Sequence, residues 1–443
     1  MDEDGDDGIA GAVWRSASGK RGAFLLGRLL QGCGGSSVRQ LGVDRAGEMR
    51  ITRFIRNPRV SVEEIVTTAA ARTAGLVAGR HVLAVQDTTA LRDDGVHHSV
   101  NLHPMIALDA ASGAMLGLVG ATVVERDGTG GRVPLRLRPH AEKQSRRWVD
   151  MTHEAAKLLD AGAASVTVVS DREADFFESF ALCAAGVHQL VRAEYDRSLC
   201  DGGKLYARLA DAPELGRVSF DLPARPGRAA RRVRVALRAC PVDLRRPPRC
   251  PADRAALPAS VAVTAVEAIE IDPPAGVEPA HWRLLTTHAV QGLPDAARIV
   301  GFYRDRWVIE QVFRTMKTKG FDVEALRVAE TQPFSILCVA ALVAAILVMQ
   351  MVRERDGLAG RPLEDGFEAA DRPLLRAVCA SLEGRTQRQK NPHDPGSLAY
   401  ASWICARLGG WNGYYGKPGP IVIYNGLLQL RAIMKGWSLR ELA

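Results

Sequence analysis

Fourteen consecutive apolar residues, Ile336 to Met349 between Ser335 and Gln350, limit what this chain of 443 residues can become. A helix without a polar side must be enclosed all round, and this run suits a buried helix better than a bilayer span, which needs about 20 residues. No membrane partner is therefore expected. A chain this long exceeds one ordinary core, so two or three domains are expected. The opening MDEDGDDGIAG is acidic where an export signal needs positive charge ahead of an apolar run. Residues 1–12 are read as a disordered tail and the location as cytoplasmic, nucleoid-associated when bound to DNA.

Strand-like runs come next. His81-Val-Leu-Ala-Val-Gln86 reads as a buried strand delivering Asp87 at its end. Pro104–Leu108 and Ala114–Val119, separated by the turn-forming Asp109-Ala-Ala-Ser-Gly113, read as a hairpin, giving three consecutive antiparallel strands. A helix over 141–160, a strand over Ser165–Ser170 presenting Asp171, a helix restarting at Arg172–Asp175 and a strand over Val187–Arg192 complete the series. The expected fold class is α/β with a ribonuclease-H-like catalytic core over 63–352, a helical N-terminal domain over 13–62 and a helical C-terminal module over 353–443.

Lys and Arg outnumber Asp and Glu by 58 to 50, which favours an anionic partner such as nucleic acid. The excess is local. Residues 13–60 hold ten basic residues against two acidic ones. Between about 196 and 280 the texture turns to Arg, Pro and alternating runs, read as a β-rich insertion. In Arg232-Val-Arg-Val-Ala-Leu-Arg238 the apolar residues face one side and Arg232, Arg234 and Arg238 the other. That basic face suits either phosphate contact or a charge-blunted edge strand. Eight scattered cysteines without CxxC spacing read as reduced thiols. His97, His98 and His103 lack a partner cysteine and are not expected to bind metal. Glu173 and Asp175 are expected to fix a helix start rather than hold metal.

The strongest local pattern is Tyr303, Arg306, Glu310 and Lys317, in a segment with Pro294 near its start and Gly320 at its end, as one helix would have. At 100° per residue the four side chains fall within roughly 60° of one another. Arg306 and Glu310 are equally an ordinary i,i+4 surface pair. Asp87, Asp171 and Glu310, at two strand ends and on a helix, are the carboxylates that phosphodiester chemistry requires, because two Mg²⁺ ions about 4 Å apart need oxygen ligands. Mn²⁺ is a possible substitute.

These residues resemble a known family. Gln86-Asp87-Thr-Thr89, Ser170-Asp171-Arg-Glu-Ala-Asp175 and the Tyr303/Arg306/Glu310/Lys317 spacing are similar to the DDE transposases of bacterial insertion sequences, in the group with the Y-R-E-K signature, the insertion-sequence-four family that includes transposon five. Arg53–Pro58, Glu142-Lys143 with Trp148, Val191-Arg192, Trp282–Thr286 and Ala406–Trp411 extend the likeness over about 50 to 430. Gly19–Gly22 and Arg28–Leu30 match the family's basic recognition segment only loosely.

The resemblance implies cut-and-paste transposition on double-stranded DNA, both transposon-end inverted repeats and target, by a homodimer. It makes Asp87, Asp171 and Glu310 the metal ligands. Tyr303, Arg306 and Lys317 would hold the transposon-end backbone, and Arg192 would be a further DNA contact. Trp282 would stack on a flipped base during hairpin formation, with a core tryptophan as the alternative. Leu398, Trp403, Leu408 and Trp411 would pair two protomers, with packing inside one subunit as the alternative. A nuclease of the same fold without strand transfer, and a degenerate transposase binding DNA ends as an inhibitor, are the rival functions.

Overall fold

The computed structural model describes residues 19–30, 37–93, 99–126, 137–222, 229–248, 253, 256–317, 321–414 and 416–441. The expected tail over 1–12, His97, His98 and Gly320 lie outside them. In chain order the first elements are α1 Gly19–Leu30, α2 Val38–Gly42, α3 Arg45–Ile55, α4 Val62–Ala74, β1 His81–Gln86, β2 Thr89–Asp93, β3 Ser99–Asp109 and β4 Met115–Arg126. Then follow α5 Arg146–Asp160, β5 Ser165–Ser170, α6 Phe177–Ala181, β6 Val187–Arg192, α7 Leu205–Asp211, β7 Glu214–Leu222, β8 Arg231–Arg245, β9 Ser260–Glu270 and β10 His281–Thr286. The last are α8 Leu293–Asp305, α9 Trp307–Met316, α10 Thr331–Glu354, α11 Arg372–Leu382, α12 Leu398–Leu408 and α13 Pro420–Glu441. The fold is mixed α/β around a mixed sheet, consistent with the expected ribonuclease-H-like core.

The elements form two compact units. The sheet unit comprises Gly79–Asp87 and Thr129–Trp307. Its strands run in the order β1-β5-β6-β10-β9-β8-β7. β1, β5 and β6 are parallel, and the remaining pairings are antiparallel. Parallel strands covered on both faces must be apolar almost throughout, which is why HVLAVQ and SVTVVS are nearly continuous apolar runs buried after their first residue. On α5, Trp148, Val149, Met151, Thr152, Ala155 and Leu158 recur at helical spacing and are buried. Trp148 joins Phe177, Val191, Leu205, Leu244 and Leu285 in one apolar cluster, so strands of the 196–280 stretch share a core with β6.

The helical unit comprises Met1–Ala78, Thr88–Gly128 and Val308–Ala443. The apolar run becomes a helix of 24 residues, longer than the run itself, and its most apolar window is wholly buried in the fold. A buried helix needs partners for its polar residues. Gln350 donates to the Leu116 carbonyl at 2.8 Å and Arg353 to that of Gly113 at 2.7 Å, docking α10 on the β3–β4 hairpin. Gly117, at φ +154°, lets α4 come close: a Cβ there would stand 2.3 Å from Thr73 Oγ1, whose hydroxyl donates to the Leu118 carbonyl.

Several expectations need correcting. β2 adds an antiparallel strand on β3 that the polar Thr88-Thr89 concealed. The helix expected from 141 starts at Arg146, after a 3-10 turn over His140–Glu142. The helix expected at Arg172–Asp175 is one 3-10 turn over Arg172–Ala174, with the α-helix beginning at Phe177. The described cysteines are all free, with Cys338, Cys379 and Cys405 buried and Cys200 exposed; Cys33 and Cys250 lie outside the described residues.

Candidate functional site

Three parallel strands of the sheet unit end together. Val85 of β1 is in register with Val169 of β5, and Ser170 of β5 with Val191 of β6. Continuing the first register by two residues and the second by one sets Asp87 level with Asp171 and Asp171 level with Arg192, on backbones about 4.8 Å apart. Gln86, just before this row, donates to Ser170 Oγ at 3.0 Å and to the Trp148 carbonyl at 3.3 Å. A buried amide thus ties both strand ends to α5.

Both acids are held. Asp171 caps the 3-10 turn after it, its Oδ1 accepting from the Glu173 amide at 2.9 Å. Asp87 Oδ2 accepts from Arg306 Nη1 at 2.8 Å, with both side chains mostly buried. A charge-assisted pair in such surroundings is stronger than a surface one. Arg306 thus neutralises Asp87, whereas Arg192, level with Asp171 in the strand register, donates to the His281 carbonyl at 3.3 Å.

The segment expected to form one continuous helix is two helices. α8 ends at Asp305 and α9 begins at Trp307. Between them the Arg306 amide bonds back to the Tyr303 carbonyl, one residue short of α-helical spacing. The four side chains of the pattern therefore do not lie on one continuous helix, and Lys317 follows the end of the second. Tyr303 is buried, and burial pushes its hydroxyl's pKa up against the opposing pull of Arg306, Arg192 and a hydrogen bond with Arg192. Its ring also lies 5.9 Å from the Arg306 guanidinium. Glu310 stands in the first turn of α9, in the helical unit, and Lys317 follows α9 paired with Glu324 at 3.0 Å.

A cavity of about 280 Å³ opens past the end of β6, lined by Arg172, Arg192, Tyr206, His281, Trp282 and Arg283 among others. Trp282 is half-buried: Phe220 stacks on it at 5.5 Å and 14°, and Tyr303 meets it edge-on at 5.8 Å. One aromatic face is therefore already covered. Beneath the cavity Glu267 accepts from His281 at 2.7 Å and Arg283 at 3.2 Å, with Arg238 at 3.6 Å. Burial pulls the Glu267 pKa upward, but the His281 bond and the charges of His281 and Arg283 outweigh it and leave it lowered.

The arginines of β8 divide. Val233, Val235 and Leu237 are buried, while Arg232 and Arg234 point outward. Arg234 pairs with Asp272 at 3.0 Å and Arg238 lies against Glu267, so much of that basic face is neutralised within the chain. Leu398 and Trp403 are buried in their own subunit, which leaves the half-buried Leu408 and Trp411 as the more accessible members of the C-terminal set. His103 is buried and contacts Thr88 at 2.9 Å. The residue that sequence reasoning misjudged is Asp175. It starts no helix; it receives two amides and a guanidinium from the segment after β6. The family-like Ser170–Asp175 motif contained it, but its partners lie some twenty residues away.

Among the described residues no three His, Cys, Asp or Glu side chains gather as a metal cluster. The adjacent carboxylates at the strand ends are nonetheless the hard oxygen donors that a divalent cation such as Mg²⁺ takes, with water completing its shell. A family model described as a transposase DDE domain matches residues 94–347, more than half of the chain. The matched span contains Asp171, Arg192, Trp282, Tyr303, Arg306, Glu310 and Lys317, and starts beyond Asp87.

Proposed function

The chain belongs to the transposase DDE-domain family, and from that premise we propose that it is a cut-and-paste transposase of a bacterial insertion sequence, in the Y-R-E-K group, acting as a homodimer on paired transposon ends. The observation that carries the reading is the row Asp87, Asp171 and Arg192 at the ends of adjacent parallel strands, with Arg306 on Asp87.

Asp87 and Asp171, joined by Glu310 as the third acid of the resemblance, would hold two Mg²⁺ ions, with Mn²⁺ able to substitute. When bound, the ions supply an activated water or 3′-hydroxyl and steady the leaving oxygen of the phosphodiester. The chain's own residues grip the DNA around that point. Arg192 and Arg306 offer planar guanidinium forks suited to phosphate oxygens, and Lys317 adds a point charge. Tyr303 hydrogen-bonds Arg192, and its ring lies 5.9 Å from the Arg306 guanidinium. Trp282 presents its uncovered face to an unstacked base, a contact indifferent to sequence. Arg232, outside the ion pairs of its neighbours, is the β8 arginine best placed for a phosphate.

Labelled inverted-repeat DNA incubated with Mg²⁺ tests the reading. Nicking at the repeat end, a hairpin and joining to target DNA are expected, whereas hydrolysis of any DNA without joining overturns transposition. Glu310→Gln should abolish cleavage and leave DNA binding within about threefold, because the carboxylate holds metal rather than DNA. Equal loss of both would show that Glu310 is structural.

A further inference from the structure

Asp175 has a completely buried side chain that lies four residues beyond Asp171. Its Oδ2 accepts from the backbone amides of Glu194 at 2.7 Å and Tyr195 at 3.1 Å, and its Oδ1 from Arg197 Nε at 2.7 Å. Arg197 also donates to the Asp175 carbonyl. All three donors belong to the segment that leaves β6 directly after Arg192, whereas Asp175 belongs to the turn that leaves β5 directly after Asp171. One carboxylate therefore fastens the exits of two neighbouring parallel strands to each other.

A buried charge is costly unless its hydrogen bonds are satisfied, and here the two amides and the guanidinium supply them. A second tie, Arg172 to Glu194 at 3.1 Å, joins the same exits, but both of its partners are well exposed and such pairs constrain little. Asp175 is the stronger of the two. The Arg192 backbone is set by β5 on one side and by its pairing with Leu284 of β10 on the other, and Ala193 donates to the Arg283 carbonyl at 2.8 Å; what the exit from β6 governs is how the Arg192 side chain is held. Arg192 hydrogen-bonds Tyr303 and donates to the His281 carbonyl at 3.3 Å, contacts that a shift of the exit would break.

We propose that Asp175 is a positioning residue for the reaction: by clamping the 194–197 segment to the turn after Asp171, it holds the Arg192 side chain in its contacts with Tyr303 and the His281 carbonyl, at the strand end level with Asp171, ready for the phosphate next to the cleaved bond. It acts through Arg192 and touches neither DNA nor metal. The inference rests on the reading of Asp171 and Arg192 given above.

A double-mutant cycle tests it. Wild type, Asp175→Asn, Arg192→Ala and the double variant are compared for cleavage of inverted-repeat DNA. Asp175→Asn should lose about tenfold in rate, as small misplacements of positioning groups do, and less than about twofold further in the Arg192→Ala background. An equal loss in both backgrounds, or a loss that merely follows the unfolded fraction in a melt, overturns the proposal. If Asp175→Asn does not fold, Arg197→Lys, which keeps the charge and removes the Nε donor, runs the same cycle with the same criteria. Amide exchange at Glu194 and Tyr195, measured without DNA, keeps the clamp separate from the activity. It should speed up in Asp175→Asn, and unchanged exchange rejects the clamp even where wild type cleaves. Fast exchange in a protein whose wild type does not cleave would instead reject the transposase reading.

Discussion

The two ends of the parallel strands in the sheet unit carry opposite electrostatics. At the carboxyl ends stand Asp87, Asp171 and Arg192, with the Arg306 guanidinium on Asp87. At the amino ends His81 meets Thr167 Oγ1 at 2.8 Å, Thr167 meets His288 Nε2 at 2.7 Å, and the His188 ring stacks on His288 at 3.8 Å. Burial, then the neighbouring charges of His188, His81 and Arg298, push the His288 pKa down to about 3. Both ends hold titratable groups on the same short strands. One sets acids and guanidinium groups in a row; the other removes water from its imidazoles, and burial lowers the pKa of His188 and His288.

The sharpest way to break this contrast is at the charged end. Asp171→Asn is isosteric and retains the cap on the Glu173 amide, so the fold should survive while cleavage falls at least about a thousandfold, as expected for loss of an oxygen ligand. A melting temperature within a few degrees of wild type, read with the cleavage rate, checks it. Parallel loss of both would make the carboxyl end as structural as the amino end.

The histidine end answers to pH. His288 is neutral when folded down to about pH 3, whereas unfolded it titrates near 6.5. The unfolded chain therefore binds the proton first. Stability from this site is complete above pH 6.5 and is lost as pH falls from there toward 3. One proton sets a limit of about 1.4 kcal/mol per pH unit; discounted for partial solvent access, the loss should be about 1 kcal/mol between pH 6.5 and about pH 5. Urea midpoints across that range should fall in wild type and stay flatter in His288→Gln. Equal slopes would mean that burial there does not keep the ring neutral.

The smallest expected effect separates arginines on one strand. Arg234 pairs with Asp272 in water, and removing it should change stability by less than about 0.5 kcal/mol and DNA affinity by less than about twofold. Arg232→Ala should instead lower the salt dependence of DNA binding by about one counterion. Identical salt slopes for the two variants would return the whole of β8 to a solubility role.

Much of this was written locally. HVLAVQ and SVTVVS name two strands to the residue because short, β-branched apolar runs suit a doubly covered parallel strand, and each delivers its aspartate by simple succession. The break at Arg306 was hidden because every residue of 293–316 is acceptable in a helix, and the local turn, not propensity, interrupts the hydrogen-bond ladder. β2 was hidden because its five residues carry no strict alternation.

By itself the sequence determined which residues can be buried, which strands end in acids and which family the motifs resemble, since these depend on side-chain type and on spacing over a few residues. Only the tertiary structure decided that Asp87, Asp171 and Arg192 stand in one row, that Arg306 closes on Asp87, that the β8 arginines are partly neutralised, and that Asp175 reaches forward to 194–197. The physical reason is range. Each of these contacts joins residues that the chain separates by tens to hundreds of positions or places on different strands. Strand register and hydrogen-bond geometry, which no local pattern encodes, choose among the possible partners.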